Sequence, residues 1–212
     1  MSEPRTRNER TNWRIAHEDV DPIRIRDPVA EALAVLDPGE PFVVTYRDVV
    51  KAAGHSCPTA SGAYRITQLG LDALYPDDYP VRGEVAVTAG GPKADPPYGV
   101  MSRIVSYVTG AAEEDGFAGL AGGYGGRQGL LRFDDVDADG PTFEFARTDT
   151  SETARVTYHV GDVPDAGPAT QSLPKLIDGT ATAAERDAFA EAWHGRIERV
   201  LTDDDLFTVE VS

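Results

Sequence analysis

The sequence predicts an α+β fold in which a mixed or antiparallel sheet packs with helices and a helical extension follows at the C-terminal side. Three observations predict it. Strand-like segments at 82–88, 130–133, 142–147 and 154–160 do not alternate regularly with helical ones, so a doubly wound parallel sheet is disfavoured. With 41% hydrophobic residues in 212, the chain can bury one sizeable core. From residue 172 onward the pattern turns helical. These shifts divide the chain into a loosely ordered arm (1–26), an α+β core (27–170) and a helical extension (171–212), packed on the core or on a partner subunit.

Each element has a local reason. Asp27 and Pro28 supply an N-cap and a first-turn proline, and Val29, Leu33 and Leu36 share a face, so a short helix is expected over 27–36, stopped by Asp37-Pro38-Gly39. Phe42-Val43-Val44-Thr45-Tyr46 reads as a strand, and 48–53 as a helical turn or two ending at Gly54. A long helix is expected to open at Pro58 and run to Leu74. Residues 82–88 alternate as a strand does. Val100, Ile104 and Val108 with Met101 and Val105 make adjoining ridges of a buried helix that Gly110 ends.

Residues 116–129 are the most glycine-dense stretch, expected to form a close backbone crossing or a flap that lets amides approach an anion beside Arg127. They match neither a Walker pattern nor a strand-linked dinucleotide fingerprint. Strands follow at 130–133, 142–147 and 154–160, the last two antiparallel. Thr182-Ala183-Ala184-Glu185 fits a capping box, and Ala188, Phe189, Ala192, Trp193, Ile197, Val200 and Leu201 form an apolar stripe on the helix after it. That stripe packs on the chain's own core or on a second copy, and His194 beside it reads as a surface or packing residue.

Charge and composition exclude some functions. Thirty-six acidic against 20 basic residues give a formal charge of −16, which argues against nucleic-acid binding. The basic residues are nearly all arginine, and the surface chemistry resembles that of extreme halophiles, whose salt screens such repulsion. The acidic run 134–139 is then a solvated loop; it lacks the glycine and terminal glutamate of an EF-hand. The N-terminus is polar and no apolar run is long enough to span a membrane, so a cytoplasmic location is expected.

The stretch with the most chemical potential is Gly54-His55-Ser56-Cys57-Pro58, which holds the sole cysteine of the chain. Cys57 falls at the N-cap of the long helix, where free amides and the helix dipole favour a thiolate, the form that attacks electrophiles or binds metal. His55 lies two positions before it. One cysteine excludes an intramolecular disulfide and any multi-cysteine zinc finger.

Asp48-Val49-Val50-Lys51, then Gly54-His55-Ser56-Cys57-Pro58 and a helix with Gly62 and Arg65, resemble the core domain of the FmdE-like family, which is named for a component of formylmethanofuran dehydrogenase. The resemblance runs from about Pro41 to Phe133 and continues through Thr109-Gly110, the glycine-rich loop and Gly129-Leu130-Leu131-Arg132-Phe133. It implies a mixed core with His55 and Cys57 lining a metal or ligand cleft, often at a dimer interface. The chain departs from the family pattern at Thr59 (usually Gly), at Arg103 and Ser106 (typically Asp and Gln), and at Ala111 (commonly Cys). It also lacks the cysteine-rich zinc finger that some members append.

Three functional readings follow. In the first, His55 and Cys57 bind a divalent metal ion such as zinc, with Asp95 or His159 as further ligands and an open position for water or a small-molecule substrate. In the second, Cys57 is a nucleophile or redox thiol with His55 as its base. In the third, a non-enzymatic module captures a small anionic ligand between helix 58–74 and the glycine loop, oriented by Arg65, Tyr124 and Arg127.

Overall fold

The computed structural model describes residues 11–14, 17, 19–134 and 138–212, so much of the N-terminal arm and the middle of the acidic run fall outside the described residues. A five-stranded mixed sheet carries helices. Its strands are β3 (Val85–Ala89), β4 (Leu131–Phe133), β5 (Thr142–Arg147), β6 (Thr153–Tyr158) and β7 (Phe207–Val211), in the order β4-β3-β5-β6-β7. Only β3 and β4 pair in parallel, with Val87 opposite Leu131; the β5–β6 pair is antiparallel as expected, with Phe143 opposite Val156.

A second, two-stranded sheet joins β1 (Ile23–Ile25) to β2 (Phe42–Val44), antiparallel. It corrects the picture of a wholly loose arm. Ile23 and Ile25 are buried while Arg24 between them is exposed, so even three residues alternate as a half-buried strand does. Likewise β7 completes the large sheet within the stretch read as a helical extension, its Phe207 stacked on Tyr158 with ring centroids 4.9 Å apart.

The helices are α1 (Pro28–Ala32), α2 (Tyr46–Ala53), α3 (Pro58–Leu74), α4 (Pro96–Thr109), α5 (Leu173–Ile177) and α6 (Ala183–Thr202). Helix α1 is shorter than its apolar spacing suggests, because Ala34 turns left-handed and the amides of Val35 and Leu36 fold back onto the Ala30 carbonyl. Helix α4 begins earlier, since Pro96 and Pro97 occupy first-turn positions where a missing amide costs nothing. Strand β3 starts late because the backbone turns over 81–84 instead: the Arg82 amide donates to the Arg26 carbonyl, Gly83 is left-handed and the Glu84 amide donates back to the Val81 carbonyl.

Helix α3 is the centre of the molecule. It meets β5, β6, β7, α2, α4 and α6. Gly62, Ile66 and Gly70 lie at i, i+4 and i+8 on one face. A Cβ at Gly62 would come within 2.5 Å of the Tyr158 ring, and one at Gly70 within 2.3 Å of the Phe145 ring. The two aromatic rings thus fill notches that only glycine leaves open.

The glycine-rich loop is pinned rather than free. Asp27 caps α1, accepting from the amides of Val29 and Ala30, while its other oxygen accepts from Arg127 at 2.6 Å and Arg82 at 3.4 Å. Asp27 is only 4% exposed, so this three-residue cluster holds the loop, α1 and the end of α4 together. No helix among the described residues is long and apolar enough to cross a membrane.

Candidate functional site

Helix α2 is closed by Gly54 in the left-handed conformation (φ 77°), which turns the chain into the extended link His55-Ser56-Cys57 before α3. A β-carbon at such a φ is strained, so the glycine is what lets the link leave α2 at this angle. Cys57 is the N-cap of α3, and its Sγ accepts from the Ala60 amide at 3.4 Å. The sulfur therefore takes the place usually filled by a serine or aspartate oxygen. It is half-buried against the core.

His55 is exposed, and its Nδ1 lies 3.1 Å from the Ala53 carbonyl. A carbonyl oxygen only accepts, so Nδ1 carries a proton and Nε2 is the nitrogen that faces away from the backbone, free to act as a donor atom to a metal. Among the described residues no hydrogen bond joins this ring to the Cys57 sulfur. The helix-capping sulfur and the carbonyl-anchored ring each have their own partner.

His55 lines a cleft of about 450 Å³ formed by the end of α2, the loop after β3 and the exposed side of α4. Asp95, Lys93, Val100, Arg103 and Ile104 also line it. A neighbouring groove of about 550 Å³ shares Lys93, Gly99 and Arg103 and continues past Ser106 to Phe133. Arg103 and Ser106 both line this groove. Of the residues expected to serve a metal, His55 and Asp95 therefore share a cleft and Cys57 stands two residues from its rim. His159 is elsewhere, its Nε2 2.8 Å from the Thr208 hydroxyl on β7. No group of three or more His, Cys, Asp or Glu among the described residues is arranged to hold a metal ion.

Of the trio expected to orient a ligand, Arg65 lies apart from Tyr124 and Arg127. Arg65 bonds Gln68 and Asp204 on the side of α3 facing the start of β7. Tyr124 donates to the Pro28 carbonyl at 3.4 Å, and Arg127 is held by Asp27. Sequence reasoning passed over Lys93 and Arg103 as site residues. The signal for Arg103 lies in its position, one residue before Ile104 and so on the polar side of an otherwise apolar helix.

Behind the His-x-Cys link, helix α6 packs its buried Ile197, Val200 and Leu201 on the chain's own core, and Trp193 Nε1 donates to the Ser56 carbonyl at 3.0 Å. Ser56 in turn meets the Tyr46 hydroxyl at 2.8 Å. Burial pushes that phenol up to about 12. A small cavity of about 210 Å³ lies here, between Tyr46, Ser56, His17 and His194. His17 Nε2 and His194 Nδ1 are 3.3 Å apart and tie the arm to α6.

Burial lowers the pKa of both imidazoles; the nearby Glu198 carboxylate partly opposes this at His17, while His17 and Arg14 reinforce it at His194. The native state therefore prefers the neutral rings, and the unfolded chain takes up protons first. Stability from this pair is present above the ordinary imidazole value of 6.5 and is lost as pH falls below it. The thermal midpoint is expected to drop between about pH 7.5 and pH 5.5, and the double variant His17→Gln, His194→Gln to flatten that dependence. An unchanged slope in the double variant would show that other groups carry it.

Compared with known proteins, the chain matches no family model and no curated protein.

Proposed function

We propose that the chain is a metal-binding protein of FmdE-like type that takes a small molecule in the cleft beside α4, with His55 and Cys57 as the protein donors to a divalent ion. The single observation that carries the reading is the His55 Nδ1 bond to the Ala53 carbonyl. Metal-ligating histidines typically give their other ring proton to such an acceptor, which fixes the tautomer and orients the lone pair. The donor set fits a borderline-soft ion such as zinc: one neutral imidazole nitrogen and one sulfur that sits where a helix N-terminus favours its anion.

Asp95 lines the same cleft, and the positions that His55 and Cys57 leave open fall to water or ligand. His159 does not belong to this set, since its ring is engaged with Thr208. When bound, such an ion supplies Lewis-acid polarisation and a strong local positive charge. The chain's own residues hold the donors in place: Ala53 orients His55, the Ala60 amide orients the sulfur, and Trp193 braces the link through Ser56.

The test is metal content of protein purified untagged in high salt without chelator, and then loaded with Co²⁺. Near-stoichiometric metal and a thiolate-to-cobalt charge-transfer band are expected in wild type, with both lost in Cys57→Ser and the metal lost in His55→Ala. A well-folded wild type that stays metal-free after loading overturns the reading. It would leave the helix-capping Cys57 as a reactive thiol, to be followed by its rate of alkylation against pH.

A further inference from the structure

We infer that the cleft beside α4 is built for a small organic anion, a carboxylate on an apolar body, with Arg103 as the residue that holds the charged head. The inference deepens the metal reading by naming the ligand class, and its anchoring residues are distinct from His55 and Cys57.

The cleft combines two features that rarely meet on this surface. Its walls are apolar, supplied by Ala53, Pro96, Val100 and Ile104, and Val100 remains 41% exposed. Lys93, Arg103 and Asp95 face the cleft, and since Lys93 is paired with Glu113, Arg103 is the cation of the cleft left to a ligand. In a chain of formal charge −16, where most of the described arginines are matched to a carboxylate, an exposed arginine left without one beside an apolar wall is a departure from the pattern. A long-range field of that sign repels free anions, so capture depends on a short-range site that outweighs it.

Arg103 is exposed on α4 and makes no hydrogen bond or ion pair among the described residues. Its guanidinium presents the planar fork that fits a carboxylate through two parallel bonds. Lys93 pairs with Glu113 across the neighbouring groove and lies 5.8 Å from the Phe133 ring centroid, so it is tethered and adds a point charge at the junction of the two grooves. A volume of about 450 Å³ falls in the range of small-molecule sites. An anion alone would leave the Val100 and Ile104 wall wet; an apolar body attached to it covers that wall.

The experiment is calorimetric titration of metal-free wild type with three probes: 4-phenylbutyrate, the uncharged 4-phenylbutyramide, and inorganic phosphate. Metal content is measured on every sample. Phenylbutyrate is expected to bind, the amide about tenfold or more weaker, and phosphate weakly, since it lacks the apolar body. Arg103→Ala, a surface change that leaves the fold intact, is expected to weaken phenylbutyrate about tenfold or more, and Arg103→Lys to recover part of it because the fork is lost but the charge kept.

Cys57→Ser is expected to leave phenylbutyrate affinity within about twofold, because the anchor is on α4. Retained binding in a Cys57→Ser protein that cannot hold metal therefore supports the anion cleft even if the metal reading fails. Equal affinity for acid and amide, no binding to wild type, or full affinity in Arg103→Ala overturns the inference. Binding lost in Cys57→Ser yet kept in Arg103→Ala also overturns it and returns the ligand to the His-x-Cys link.

Discussion

Asp27→Ala is expected to lower the free energy of unfolding by about 3–5 kcal/mol, the usual cost of removing one partner from a buried ionic cluster. Three losses combine. The first is an N-cap of α1, worth about 1 kcal/mol by itself. The second and third are the carboxylate partners of Arg82 and Arg127, whose side chains are 15% and 20% exposed and so are poorly placed to find water instead. Burial lowers the pKa of the Arg82 guanidinium, with Asp27 opposing that effect, so the carboxylate is what makes a charge tolerable there.

Urea denaturation measures the change. Asp27→Asn separates its parts, because the amide oxygen can still cap α1 while the negative charge is gone. A loss under about 1 kcal/mol in Asp27→Ala would mean that the cap alone matters and that both arginines rehydrate. The same substitution should also loosen the glycine-rich loop, leaving the Tyr124 bond to the Pro28 carbonyl as its tie to α1.

The second large effect concerns the notches of α3. Gly70→Ala is expected to cost about 1–3 kcal/mol through overpacking, even though alanine is the better helix former. Gly62→Ala should cost a similar amount, and the double variant about the sum, because the sites are eight residues and roughly 12 Å apart along the helix. Phe145 and Tyr158 are fully buried and have nowhere to retreat. Phe145→Leu in the Gly70→Ala background should restore part of the loss by opening room for the new methyl. A neutral or stabilising Gly70→Ala would show that α3 can lift from the sheet at little cost.

The larger elements were legible in the sequence because they carry local signals that agree with one another. Cys57-Pro58, the ridge of α4 and the Thr182–Glu185 box each mark a boundary or a face, and the structure has the helices and the β5–β6 hairpin there. What local signal could not supply is pairing across distance. Strand β7 has a visible alternation in Phe207-Thr208-Val209-Glu210-Val211, yet nothing near it says that its partner is β6, some fifty residues upstream. The three-residue strand Ile23–Ile25 is too short for periodicity to speak without Val44 opposite it.

The candidate site divides in the same way. His55 and Cys57 stand out as a pair because they are close in sequence and precede a helix. Lys93 and Arg103 become site residues only when α2, the β3–α4 loop and α4 converge on one cleft. Conversely Arg65, grouped with Tyr124 and Arg127 as lining one pocket, is separated from them by the fold. Each is committed to a contact made by a residue far away in the chain, namely Asp204, Pro28 and Asp27.

Sheet strands, α2, α4 and α6 surround helix α3, and its first turn is capped by the sulfur of the candidate site, which accepts from the Ala60 amide. The molecule therefore lacks a layer that it can shed while keeping the rest. Any opening that exposes the α3 amides to solvent is already a global unfolding event, so these amides belong to the slowest-exchanging set. The His-x-Cys link is joined to that unit through Cys57 and Ser56, so the candidate site shares the stability of the whole fold rather than that of a surface loop.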